Sequence, residues 1–304
     1  MEIFSVGGVN IDLCAVVPEF PRVDEEVEVT QLEELPGGSA ANYIVGVARL
    51  GVSAGFIGKI GDDNYGKKLL DEFIRENVDV SLIKIEKKIH SGMCLIPIDD
   101  AGNRQIFSFR GANAKLTPTD VDTSVIAQAS LVHITSPPQN VAEFAARIAK
   151  ENEVLVSYDP GGKVIRKGLA FIDKALQNTD IFLPSSSELA FLYPKIDDLK
   201  TVALTLLDQY SIKILAIKLG ARGCLVVTKN DEIPVKGYKV KVIDTTGAGD
   251  AFAAAFTVGI QKGWDLLKCA QFANAAGAIT VTRIGARTAL PTLGEIEHFM
   301  EKNK

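Results

Sequence analysis

The chain has 304 residues, 47% apolar and 23% charged, which gives ample material for a buried core and excludes a disordered polymer. Its net charge of −5, with no run of Lys and Arg, leaves no phosphate-neutralising stripe, so nucleic acid is not an expected partner. The longest mostly apolar run, 251–260, is about half of the ~20 residues a bilayer crossing needs, so no membrane association is expected.

The opening Met1–Ser5 shows neither the basic start nor the cleavage site of a signal peptide, and a cytoplasmic location is expected. A first strand over Ile3–Val6 ends at Gly7-Gly8, and no helix follows it, against a dinucleotide-binding start. Leu13–Gln31 alternates apolar and acidic residues around Pro18 and Pro21, which suits exposed antiparallel strands; Ser91–Arg110 is a second such stretch. Between them a helix over Ala40–Leu50 closes at Gly51, and a strand over Ala54–Ile60 and a helix over Tyr65–Glu76 follow.

From Leu131 the alternation is regular. Strands over Leu131–Ile134, Val154–Tyr158, Ile181–Leu183, Ile214–Lys218 and Cys224–Thr228 are separated by helix-length segments, the pattern of a mostly parallel sheet with helices on both faces. The expectation is one α/β domain over 1–304 with a small β lid built from about 12–36 and 90–111. Cys14, Cys94, Cys224 and Cys269 lie too far apart for a zinc site or a disulfide framework and read as buried thiols, and His90, His133 and His298 are equally scattered.

The most informative segment is Asp244-Thr245-Thr246-Gly247-Ala248-Gly249-Asp250, between an expected strand over Lys239–Ile243 and a helix over Ala251–Lys262. Free N–H groups at a helix start, with the positive end of the helix dipole, hold anions, and glycine removes the side chains that would block approach. Asp250 at that end can accept a proton from an attacking hydroxyl, although an aspartate at a helix start is most often only a cap.

This seven-residue string resembles the C-terminal signature of the ribokinase-like (PfkB) carbohydrate kinases. Gly37-Gly38-Ser39-Ala40-Ala41-Asn42 is similar to that family's N-terminal glycine signature, and Gly58-Lys59-Ile60-Gly61-Asp62-Asp63 with Gly66 fits its next unit. The resemblance spans essentially the whole chain and implies a three-layer α/β/α fold with a mostly parallel central sheet and a β lid. It implies an ATP-dependent kinase in which Asp250 is the general base and Gly247, Ala248 and Gly249 form the anion hole.

By the same resemblance Asp12, Gly38 and Asn42 hold the sugar, with Asn10 placed beside them; Arg110, at the end of an expected lid strand, is either a residue that reaches over the substrate or an ordinary surface arginine. Lys218, Gly220, Gly223 and Asn274 flank the nucleotide, with Lys218 standing where many relatives carry Thr. Glu188 serves Mg²⁺ through water, although Ser185 replaces the family's usual Asn, and Asp244 with the loop Arg283–Ala286 is a place for K⁺. The expected acceptor is a hydroxyl, primary by expectation, of ribose, fructose or a related sugar. Tyr158–Gly162 resembles some nucleoside kinases of the family, and Tyr43 offers a ring that could stack on a base or a sugar. A nucleoside kinase is therefore the alternative, and a non-catalytic sugar-binding regulator a weaker one. The lid's open edges suggest a homodimer.

Overall fold

The computed structural model describes residues 3–196 and 198–303; residues 1, 2, 197 and 304 of the expected 1–304 domain lie outside it. The first half runs β1 (Ile3–Gly7), β2 (Asn10–Val16), β3 (Gln31–Gly37), β4 (Ala54–Gly61), β5 (Val78–Asp79), β6 (Ile83–Glu86), β7 (Gly92–Ile98) and β8 (Phe107–Phe109). The second half supplies β9 (Leu131–Thr135), β10 (Leu155–Tyr158), β11 (Ile181–Phe182), β12 (Ile214–Lys218), β13 (Gly223–Val227) and β14 (Glu232–Lys236).

The central sheet runs β14-β13-β12-β11-β10-β9-β1-β4-β5, with β6 also pairing β4. It is parallel except where β13 and β14 fold back as antiparallel strands at one edge. Every residue of β1, β4 and β9 is buried, as a parallel strand covered on both faces requires, and their near-continuous apolar runs are the sequence expression of that cover. One face packs against the helices Ser39–Arg49, Ala248–Gln261 and Leu266–Thr280; the other packs against Gln139–Glu151, Leu169–Leu176 and Leu199–Gln209. This is the three-layer α/β/α fold.

Small residues set the approach of the two helices that matter most for the site. A methyl group added to Gly46 would come within 2.9 Å of the Ala254 Cβ, and Ala40, Ala41, Ala251, Ala253 and Ala255 are all buried in the same core. That closeness lets polar residues near the two helix starts touch.

The lid is a separate four-stranded sheet in the order β3-β2-β7-β8. Its middle pair, β2 and β7, is parallel, where the sequence pattern suggested antiparallel strands; two segments about 80 residues apart need no hairpin and can pair in either sense. Residues 17–30, with Pro18 and Pro21, form no strand. Lys239–Ile243 forms none either: with β14 ending the sheet, the segment has no partner strand, and the Ile243 N–H bonds instead to the Val281 carbonyl at 2.7 Å. Val242 and Ile243 are consequently more than half exposed. Cys224 and Cys269 are buried, whereas Cys14 and Cys94 on the lid strands are half-buried, a correction to the reading of four buried thiols.

Candidate active site

The turn before the Ala248–Gln261 helix is organised by Asp244. Its Oδ1 accepts from the Thr246 N–H at 2.9 Å and the Thr246 hydroxyl at 2.6 Å, and its Oδ2 accepts from the Gly285 N–H at 3.0 Å. Gly247 then turns the chain with φ +81, where a side chain would be strained, and an added Cβ would sit 2.6 Å from the Ala286 carbonyl oxygen. The helix starts at Ala248 with no side-chain cap, so its positive end is open to an anion. Asp250 is the third helical residue and does not cap.

Asp250 is instead held from outside its own helix. The Asn42 Nδ2 donates to its Oδ2 at 2.8 Å. Burial pushes the Asp250 carboxyl up to about 7, with the Asp159 charge adding to the rise and Asn42, Lys218 and Ser39 resisting it. A carboxylate poised near neutrality is suited to take and release a proton. Asn42 in turn accepts from the Arg287 Nε at 3.4 Å, and Arg287 also donates to the Gly37 carbonyl at 2.8 Å. Arg287 is fully buried over the Phe73 ring, and its Nη1 has no hydrogen-bond partner among the described residues.

Two cavities bear on this site, one at the start of the Ser39–Arg49 helix and one at the start of the Ala248–Gln261 helix. One, of about 200 Å³, is lined by Asn10, Gly38, Ser39, Arg110 and Asn113, among others. The other, of about 540 Å³, is lined by Lys218, Gly220, Gly223, Asn274, Ala248 and Gly249, among others. Asp250 itself lines neither cavity: its partner Ser39 lines the first, and its neighbours Ala248 and Gly249 line the second. All four residues expected to flank a nucleotide thus share one cavity.

The residues expected around a sugar divide. Asn10, Gly38 and Arg110 line the first cavity. Asn10 accepts from the Asn113 Nδ2 at 2.9 Å, and Asn113 braces the Val9 backbone on both sides. Asn42 is buried behind Asp250, and Asp12 lines a third cavity of about 440 Å³ between the lid and the Asp244–Thr246 segment. Burial pushes the Asp12 carboxyl up to about 6, with Arg287 and Cys94 drawing it back.

Lys218 forms a short ion pair with Asp159, and a Cβ on Gly249 would lie 3.6 Å from its Nζ, so its charge stands beside the open helix end. Burial works against that charge, but Asp159, Glu188 and Asp250 together hold its pKa above the ordinary lysine value. Glu188 spends its Oε2 on Ser185, accepting from its N–H at 2.7 Å and its hydroxyl at 2.9 Å in a capping box. Among the described residues no group of three or more His, Cys, Asp or Glu side chains could hold a metal ion.

Tyr43 does not face a ligand. It is fully buried, stacked on His133 at 3.6 Å, with its hydroxyl 2.8 Å from the Thr257 Oγ1. Sequence reasoning missed Arg104, which reaches from the lid to the Thr246 hydroxyl at 2.5 Å and to Asp244 at 3.6 Å. It also missed Arg287, Ser136, Lys163 and Lys167; Lys163 directly follows the Tyr158–Gly162 segment already singled out, which was the available signal. No helix among the described residues is long and apolar enough to cross a membrane.

The fold and this constellation are those of an α/β phosphotransferase. The family model described as pfkB family carbohydrate kinase matches residues 1–293. An ATP-dependent ribose-1-phosphate kinase of Halopiger xanaduensis is 32% identical over 99% of both chains, and an uncharacterized sugar kinase of Archaeoglobus fulgidus is 36% identical over 81% of this chain and 98% of its own. The structure of an Arabidopsis thaliana ribokinase complexed with ribose and ATP superposes with a TM-score of 0.90 at 25% identity, covering 99% of this chain and 98% of that one. The chain belongs to the pfkB family of carbohydrate kinases. It is a sugar kinase of the ribokinase fold that uses ATP as co-substrate.

Proposed function

We propose that the chain transfers the γ-phosphoryl group of ATP to a hydroxyl, expected to be primary, of ribose, fructose or a related small sugar in the 200 Å³ cavity. The hydroxyl oxygen attacks the γ-phosphorus, the bond from that phosphorus to the ADP oxygen breaks, and the hydroxyl proton passes to Asp250. The open helix end at Gly247, Ala248 and Gly249 stabilises the charge of the group in flight, aided by Lys218. The observation that carries this reading is Asp250, fixed by Asn42 at 2.8 Å in the first turn of an uncapped helix whose Ala248 and Gly249 line the 540 Å³ cavity.

Magnesium fits as a companion of the nucleotide. One carboxylate, Glu188, with phosphates and waters, matches the partial hydration this ion prefers, and the ion would supply charge neutralisation to the transferring phosphate. Potassium beside Asp244 fits poorly, because Thr246, Gly285 and Arg104 already satisfy that carboxylate. No step is assigned to it.

A nucleoside acceptor, the second reading, loses the stacking ring it called on, since Tyr43 is core. The lid alternation puts Leu32, Leu95 and Phe107 on the face opposite Asp12 and Cys94, all three well exposed, which supports a homodimer through the lid; a monomer mass by light scattering would contradict it. The functional test is ADP release from ATP and Mg²⁺ against a panel of sugars and nucleosides. Turnover of a sugar supports the reading, and turnover confined to nucleosides overturns it.

A further inference from the structure

A carboxylate and a guanidinium meet the two ends of one buried amide. The Asn42 Nδ2 donates to the Asp250 Oδ2 at 2.8 Å, and the Asn42 Oδ1 accepts from the Arg287 Nε at 3.4 Å. Asn42 lies in the Ser39–Arg49 helix, Asp250 in the Ala248–Gln261 helix, and Arg287 in the loop after the Leu266–Thr280 helix. Only the fold brings them together.

Stability does not account for Arg287. It is fully buried, its Nη1 has no hydrogen-bond partner, and among the described residues it forms no ion pair. The acidic groups whose charge reaches it are Glu72, Asp12 and Glu76. Two of them are engaged elsewhere, Glu76 with Arg49 at 2.6 Å and Glu72 with Arg75 at 2.8 Å. Asp12, on β2, is packed against Gly37, where an added Cβ would collide with its carboxylate, and it lines the third cavity. The guanidinium itself holds the Gly37 carbonyl at 2.8 Å and lies over the Phe73 ring at 5.1 Å. A buried charge on such terms is costly, and an apolar side chain of similar volume is often neutral or better. Burial draws its pKa down to about 10, with Glu72, Asp12 and Glu76 resisting and Arg49 adding to the fall, so it stays charged where Asp250 titrates.

What the charge does is decide which way the amide points. An amide beside a carboxyl group has two stable orientations: its nitrogen donates to the ionised form, or, turned over, its oxygen accepts from the protonated form. The first favours the charged base and the second the neutral acid. With a guanidinium on the far side, turning Asn42 over would set its NH₂ group against N–H donors and leave both unpaired. Arg287 thus forbids the orientation that would stabilise protonated Asp250.

We infer that Arg287 is a positioning residue: anchored on the Gly37 carbonyl, it locks the Asn42 amide with its nitrogen toward Asp250, so that the carboxylate keeps a donor and stays available as a base. This rests on the reading of Asp250 as the base and adds the residue that keeps it one. The other groups that act on Asp250, namely Asp159, Lys218 and Ser39, are untouched by a change at Arg287.

The test is a ¹³C NMR titration of the aspartate side-chain carboxyls, with the Asp250 signal assigned by its loss in Asp250→Asn, beside the pH profile of kcat/KM with ATP, Mg²⁺ and the best sugar acceptor. In Arg287→Met, which keeps most of the volume and removes the donors, the Asp250 midpoint is expected to rise by about one pH unit, tenfold in its ionisation ratio, and the kinetic midpoint to rise with it. Arg287→Lys, which keeps the charge and one point of donation, should fall between native and Met. In an Asn42→Ala background neither change at Arg287 should move Asp250 further. The assignment separates Asp250 from Asp12, which also loses a neighbouring charge. An unmoved Asp250 midpoint overturns the proposal, and so does an equal rise with Asn42 absent, since Arg287 would then act as a distant charge and not through the amide. An NMR shift with an unmoved kinetic midpoint upholds the positioning and removes Asp250 from the role of base, so the two readings fail separately; without turnover the titration alone decides. Should the Met variant not fold, the Lys variant decides, and if neither folds Arg287 is a structural residue and the proposal fails.

Discussion

The side-chain amide of Asn42 donates to the carboxylate of Asp250 at 2.8 Å, across 208 positions of sequence. It joins the first turns of two helices that pack through alanine and glycine, and it belongs to a chain of contacts from Arg287 through Asn42 to the carboxylate. The structure therefore positions Asp250 by tertiary packing and not by its own helix.

Asn42→Ala removes the donor that draws the Asp250 pKa down, while burial, the larger influence, remains. The base must be unprotonated to work, so kcat/KM is expected to fall as pH drops through about 7 in the native chain. The variant's midpoint should lie at higher pH. A profile that keeps its midpoint would contradict a link between the two residues.

Asp250 also costs stability when charged. Its folded pKa of about 7 lies above the ordinary 3.8, so the fold favours the protonated form, and the stability present below pH 4 is lost as pH rises toward 7. Asp250→Asn should therefore raise Tm at pH 8, and the difference should shrink toward pH 4. A variant less stable at pH 8 would contradict the sign.

Gly247→Ala places a methyl group 2.6 Å from the Ala286 carbonyl oxygen at φ +81. Strain of this kind costs about 1–3 kcal/mol. Denaturant unfolding should show that loss, with kcat reduced more than tenfold because the turn presents the helix N–H groups. Native-like stability would contradict the role of the turn.

Tyr43→Phe separates core from ligand roles. Loss of the hydroxyl opposite Thr257 should lower stability by about 1 kcal/mol, and the acceptor KM should stay within twofold. A large rise in KM would restore the stacking role the structure removes.

The fold was legible where the sequence is locally decisive: Gly51 closing a helix, the buried runs of β1 and β4, and the glycines of the 244–250 turn each carry their reason within a few residues. The site was legible to the same extent. Lys239–Ile243 alternates like a strand, yet a strand also needs a free edge, and none is offered. Tyr43 was misread because aromaticity does not reveal which way a helix face points. Arg110 and Lys163 stand 53 positions apart, and Arg287 and Asn42 are 245 apart, so no local pattern could announce their meeting.

The central claim is that Asp250 takes the proton from the attacking hydroxyl. Steady-state kinetics of Asp250→Asn with the best acceptor should show kcat lowered by about 10²–10⁴ while KM for acceptor and ATP stays within a few-fold. A variant that keeps native kcat, or loses only affinity, would contradict it.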